Sequence, residues 1–251
     1  MSGYTQHGSQ NAINSADRDR AERSSHGGLG AAGYIDMQGG TKGRGTFLTA
    51  PGEVAVVNPA ASGLPDFKIF VAWDNVVVDR EKNFFKRFFK KTVLRAGVDL
   101  DLGCLYKLKN GRRGGMQAFG NIHGALEEEP FIVLSGDERT GEREGPDETI
   151  TVNGARWNEI EKILIYVYIY KGARNWASVR PQIQVSVPGE EPMVVSLGTR
   201  KDKMAVCAVA GLENVRGGIK LTNYLEYFPG HTEMDRAFGY GLPWEDGKKS
   251  D

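Results

Sequence analysis

DFKIFVAWD (residues 66–74) is the stretch on which the fold turns. Phe67, Ile69, Val71 and Trp73 recur at every second position, which puts four large apolar groups on one face of an extended strand. Outward from it, further short apolar runs follow at 104–108, 131–134, 162–170, 182–187, 193–197, 204–210 and 218–227. Asn110-Gly111 follows the first of these runs and is a strong hairpin signal, because both residues tolerate positive φ. Pro188-Gly189 and Gly217-Gly218 punctuate the later ones. At least eight strands at hairpin spacing, with no internal repeat, predict a mainly β chain, most simply a β-sandwich with a few short helices.

Two stretches read as helices. Residues 157–162 make a short one. In residues 81–95, Phe84, Phe85, Phe88, Phe89 and Val93 share one helical face, and Lys82, Lys86, Arg87, Lys90, Lys91 and Arg95 occupy the rest. Such a basic amphipathic helix has two covers for its Phe face, the sandwich itself or an anionic membrane surface.

The first 45 residues are rich in Gly, Ser, Asn, Gln and Arg, with Tyr4 and Tyr34 their two aromatics. They cannot bury enough apolar area to offset an ordering cost of roughly 1–2 kcal/mol per residue, so residues 1–45 read as a disordered tail. Residues 46–62 read as a linker that docks on the body, 63–245 as the β domain and 246–251 as a second tail.

Over 251 residues, Lys plus Arg equals Asp plus Glu at 32 each, and the formal net charge is zero. That balance excludes a globally basic nucleic-acid binder. Cys104 and Cys207 are too few for a disulfide scaffold or a cysteine-based zinc site. The longest apolar run, 163–170, falls far short of the roughly 20 residues that span a bilayer. Residues 1–30 lack the apolar stretch of a signal peptide, so the expected location is the cytoplasm.

Chemistry concentrates in two acidic places. In GVDLDL (residues 97–102) Asp99 and Asp101 alternate with apolar residues, which puts both carboxylates on one face of a strand. SGDERTGEREGPDE (residues 135–148) holds six carboxylates, Asp137, Glu138, Glu142, Glu144, Asp147 and Glu148, against two arginines. Hard oxygen ligands crowded on a Gly-containing loop suit Ca²⁺, while a solvated acidic hairpin loop is the plainer account. An EF-hand does not fit, since Arg139 takes its third position and Glu142 the place of its essential Gly.

At these residues the chain resembles the tellurium-resistance TerD-type domain family. Trp73-Asp74, the 98–101 strand, GDERTG at 136–141 and Asp147-Glu148 follow that family's G-W-D element, D-L-D strand and calcium loop in order. The ending YFPGHTEMDRAFGYGLPW (residues 227–244) is similar to the TerA-like branch. The resemblance covers residues 63–245 and implies a TerD-type β-sandwich, calcium binding by the Asp-rich loops and a role in tellurium and stress resistance. Departures weaken the loop: Glu138 stands where the family has Asn, Arg143 where it has Gly, and Pro146 where it has Asp. The resemblance therefore implies one weakened calcium site, or none, with Asp99, Asp101, Asp137, Glu138, Asp147 and Glu148 as its oxygen ligands.

His231-x-Glu233-x-Asp235 invites a metal or acid–base reading, but it lacks zinc spacing and reads more plainly as the first turn of a helix after Pro229-Gly230. His7 and His26 fall in the tail and His123 stands alone. No phosphate-binding or dinucleotide fingerprint is present, and Cys104 and Cys207 read as buried. The sequence thus predicts a non-enzymatic, cytoplasmic calcium-binding module of a tellurium and stress resistance system. Its expected partners are other resistance proteins and, through residues 81–95, an anionic membrane at the inner face; no nucleic acid is expected. The alternatives are a metal-free assembly scaffold and a metal-dependent hydrolase built on His231, Glu233 and Asp235.

Overall fold

In a computed structural model of the chain, the alternation at 67–71 lies in strand β3 (Phe67–Ala72), where Phe67, Ile69 and Val71 are fully buried. The described residues are 45–72, 99–117, 122–135, 148–171, 176, 181–197 and 204–244. Trp73-Asp74, the segment 81–95, most of the acidic loop and both expected tails but for Gly45 lie outside them.

The chain runs through β1 (Thr46–Leu48), β2 (Val54–Val57), β3, β4 (Asp99–Leu108), β5 (Arg113–Gln117), β6 (Gly124–Ala125), β7 (Ile132–Leu134) and β8 (Glu148–Val152). It continues with β9 (Ile160–Lys171), β10 (Gln182–Ser186), β11 (Met193–Ser196), β12 (Val206–Val215), β13 (Gly218–Phe228) and helix α1 (His231–Phe238). One sheet has the order β1-β11-β10-β3-β8-β7-β6, the other β2-β13-β12-β9-β4-β5. Their inner faces meet in one core, with Ile69, Ile150, Ile183 and Val185 from the first and Leu102, Cys104, Ile165, Val209 and Leu221 from the second. The protein is a mainly β two-sheet sandwich, as the alternation predicts. Both cysteines are free and buried within it.

The Asn110-Gly111 turn joins β4 to β5, with Gly111 at φ 90°. The acidic strand and the 104–108 run, separate in the sequence reading, form the single long strand β4.

The helix expected at 157–162 is a correction. A 3-10 helix occupies Gly154–Glu159, started by Asn153, whose side chain accepts from the Arg156 N–H at 3.1 Å. From Ile160 the chain is β9, because IEKILIYVYIYK carries β-branched and aromatic residues at strand spacing. Trp157 stays buried, edge-on to Phe67 at 5.4 Å, and donates Nε1–H to the Gly218 carbonyl at 3.1 Å.

The outer face of the second sheet carries a further apolar cluster. Leu105, Leu164, Tyr166, Val206 and Ala208 from the strands are covered by Met234 of α1 and Tyr240 of the segment behind it. Residues 46–57, which the sequence marks as part of a docking linker, form the outermost strands of both sheets: β1 lies parallel to β11 and β2 antiparallel to β13.

Candidate functional site

Glu148 meets the backbone of β4 where that strand outruns its neighbour. β5 ends at Gln117, opposite Gly103 of β4. Alternate residues of β4 turn their N–H toward β5, as Leu108 does to the Arg112 carbonyl at 2.8 Å, so the N–H of Leu102 points past the end of β5. Glu148 takes that donor: its Oε2 accepts from the Leu102 N–H. Glu148 opens β8, pairs with Val71 of β3, and turns inward on the same face as Ile150 and Val152, so that it is only 2% exposed. One carboxylate therefore joins the two sheets at this edge.

Asp101 sits one residue before Leu102 on the opposite, outer face of β4, half-buried and paired across the sheet with Tyr168. The backbone of Asp99 pairs with Lys171, and an irregularity separates that pair from Leu100 and Ile169. Sequence reasoning passed over the residues that complete this region. Tyr166 lies across Gly103, where a Cβ would fall inside its ring, and its hydroxyl reaches the Met116 carbonyl and Gln117 Oε1, each at 3.3 Å. The available signal was Gly103 itself, since a glycine inside a strand pattern marks a close approach.

Electrostatics tie these groups together. Burial pushes the Tyr166 phenol well above its ordinary value, and the neighbouring Cys104, Asp101 and Glu148 push it the same way. Tyr168 is raised by burial and then by Asp101. The region thus gathers oxygens under negative potential. Such a donor set fits a hard cation such as calcium, while the buried Cys104 thiol, pushed up to about 12, offers no soft ligand. Among the described residues, no three His, Cys, Asp or Glu side chains come together as a ready metal cluster. Asp101 and Glu148 are the two predicted ligands whose side chains are described; Asp137, Glu138 and Asp147 lie outside the described residues.

His231, Glu233 and Asp235 take other roles. His231 stacks on Trp244 with ring centroids 5.0 Å apart and meets Tyr166 and Tyr168 at 5.2 and 5.0 Å. Burial among these rings lowers its pKa to about 4. Asp235 is buried and accepts from the N–H groups of Gly241 at 2.7 Å and Leu242 at 2.6 Å, and from Trp244 Nε1 at 2.9 Å. Glu233 is exposed. Helix α1 begins at His231, so this motif opens a helix and clasps the segment behind it.

No protein-family model matches the chain. Tellurium resistance protein TerA from Alcaligenes sp. is 39% identical over 153 residues, which are 61% of this chain and 44% of that protein. The chain thus spans less than half the length of that relative. A crystal structure of a homologue of the telluride resistance protein TerD from Streptomyces coelicolor A3(2) is similar over 72% of this chain and 100% of that one, at 19% identity and a TM-score of 0.47. The sequence match supports the resemblance to the tellurium-resistance TerD/TerA-like family.

Proposed function

We propose that this chain is a non-enzymatic, calcium-binding module of a tellurium-resistance system. The observation that carries the proposal is the Glu148 carboxylate, buried at the sheet edge and fixed by the Leu102 N–H, with Asp101 on the adjoining strand. Burying a carboxylate is costly unless hydrogen bonds or a cation compensate it. In this role Glu148 anchors one oxygen against the sandwich, Asp101 and Asp99 contribute from β4, and Asp137, Glu138 and Asp147 close the shell from the loop. The non-enzymatic part is supported by the use of His231 and Asp235 in packing and clasping.

A calorimetric titration of the full chain tests the reading. Calcium is expected to bind and magnesium to bind far more weakly, because six to eight flexible oxygen ligands suit the larger ion. Saturation to 100 times the dissociation constant raises stability by about 2.7 kcal/mol. Asp101→Ala and Glu148→Gln are expected to weaken binding while the circular dichroism spectrum stays that of a β protein. Equal melting temperatures in calcium and in chelator would overturn the proposal and leave a metal-free member of the resistance system.

A further inference from the structure

Among the described residues, the second sheet has an open edge at β2, on the side away from β4 and β5. Six large apolar side chains stand out as exposed among the described residues, and Val54 (46%) and Val56 (59%) on this four-residue strand are two of them. Phe47 of β1, an edge strand of the first sheet, and Val215, at the hairpin into β13, are two more. The Glu53 C=O accepts from the Asn223 N–H at 2.9 Å, which sets Glu53, Ala55 and Val57 as the residues bonded to β13. By alternation, the N–H and C=O groups of Val54 and Val56 point outward, away from the sheet.

Exposed strand edges invite another strand, and proteins usually blunt them with charge, proline or bulges. Val54-Ala-Val-Val57 holds none of these. The nearby Glu53 is taken up locally, accepting from the N–H groups of Thr49 at 2.6 Å and Ala50 at 3.1 Å. Lys220, beside Val56, is paired with Glu213 at 2.9 Å.

We infer that a second copy of this chain adds to the open edge of β2, antiparallel about a two-fold axis at Ala55, joining two six-stranded sheets into one. The sequence around the edge selects that partner. Pro51 and Pro59 stand four positions either side of Ala55, so the axis sets proline opposite proline and leaves the residues between them free to pair. Partners across an antiparallel pair share a face, and this register sets Val54 opposite the second copy's Val56 twice over, outward-pointing backbone to outward-pointing backbone. The exposed valines then cover each other, and no charge is buried. This inference does not rest on the calcium reading, since the two sites lie at opposite ends of the second sheet.

Sedimentation velocity of the full chain over a rising concentration series tests it. The wild type is expected to move from monomer to dimer, with or without chelator. Val56→Pro removes one outward N–H and no bond to β13, so it is expected to weaken the dimer by at least roughly tenfold while the melting curve holds. Ala55→Cys, on the axis, is expected to form a disulfide-linked dimer under mild oxidation, the native Cys104 and Cys207 being buried. That readout decides the matter if the proline variant fails to fold. A wild type that stays monomeric, a Val56→Pro dimer of unchanged strength, or a dimer that Ala55→Cys does not cross-link would overturn the inference.

Discussion

A side chain on Gly103 would collide with the ring of Tyr166, and that ring carries the hydroxyl that reaches the end of β5. Gly103→Ala is therefore expected to destabilise the protein by about 1–3 kcal/mol, the usual cost of overpacking a filled site. Chemical denaturation measures it. In the double variant with Tyr166→Ala the two losses are expected to be less than additive, because the clash disappears with the ring. His231 makes a second prediction at this scale. Its folded pKa of about 4 lies below the unfolded value, so the unfolded chain binds more protons between roughly pH 6.5 and 4. The stability held by the neutral ring is complete above that window and falls as the pH drops through it. His231→Phe keeps an aromatic ring against Trp244 and is expected to flatten this part of the melting-temperature profile relative to wild type.

At the scale of elements, α1 and the residues behind it act as one clasp. Three donors converge on Asp235, and Tyr240 and Trp244 are thereby held against the outer face of the second sheet. Asp235→Ala leaves all three without their acceptor and is expected to cost about 3 kcal/mol, since hydrogen bonds to charged groups contribute about 1.5–3 kcal/mol each and water replaces some of them. A red-shifted tryptophan emission at mild denaturant would report release of Trp244 before global unfolding. The elements differ in how plainly the sequence announces them. Apolar residues alternating or running together over at least five positions made β3, β9 and β13 readable, Phe67, Ile69 and Val71 being buried in the first. β2 has one exposed face and only four residues, so its pattern does not rise above that of a linker. Residues 157–162 misled because they straddle the end of the 3-10 turn at Gly154–Glu159 and the start of β9, whose β-branched run decided the outcome. The inward turn of Glu148 was hidden as well, because its face depends on the position at which β8 begins.

For the whole molecule, the two proposed sites sit at opposite ends of one sheet, and they are expected to respond independently. Calcium is expected to raise the melting temperature of Val56→Pro as much as that of wild type, which differential scanning calorimetry would check. The sandwich class and the acidic strand were both legible in the order of residues; the company that Asp101 keeps was not, since Tyr166 and Tyr168 come near it only through the pairing of β4 with the distant β9. That distance has a consequence during synthesis. Among the described residues of the second sheet β2 pairs with β13 alone, and Asn223 donates its Nδ2–H to the Leu48 carbonyl at 3.2 Å, 175 positions earlier. On the ribosome the strands that leave first must wait for nearly the last, roughly 8–30 s at about 5–20 residues per second. Through that interval the valine edge of β2 is a bare, unpaired segment on a nascent chain. Neighbouring chains on one polysome would meet it there before their own β13 has emerged.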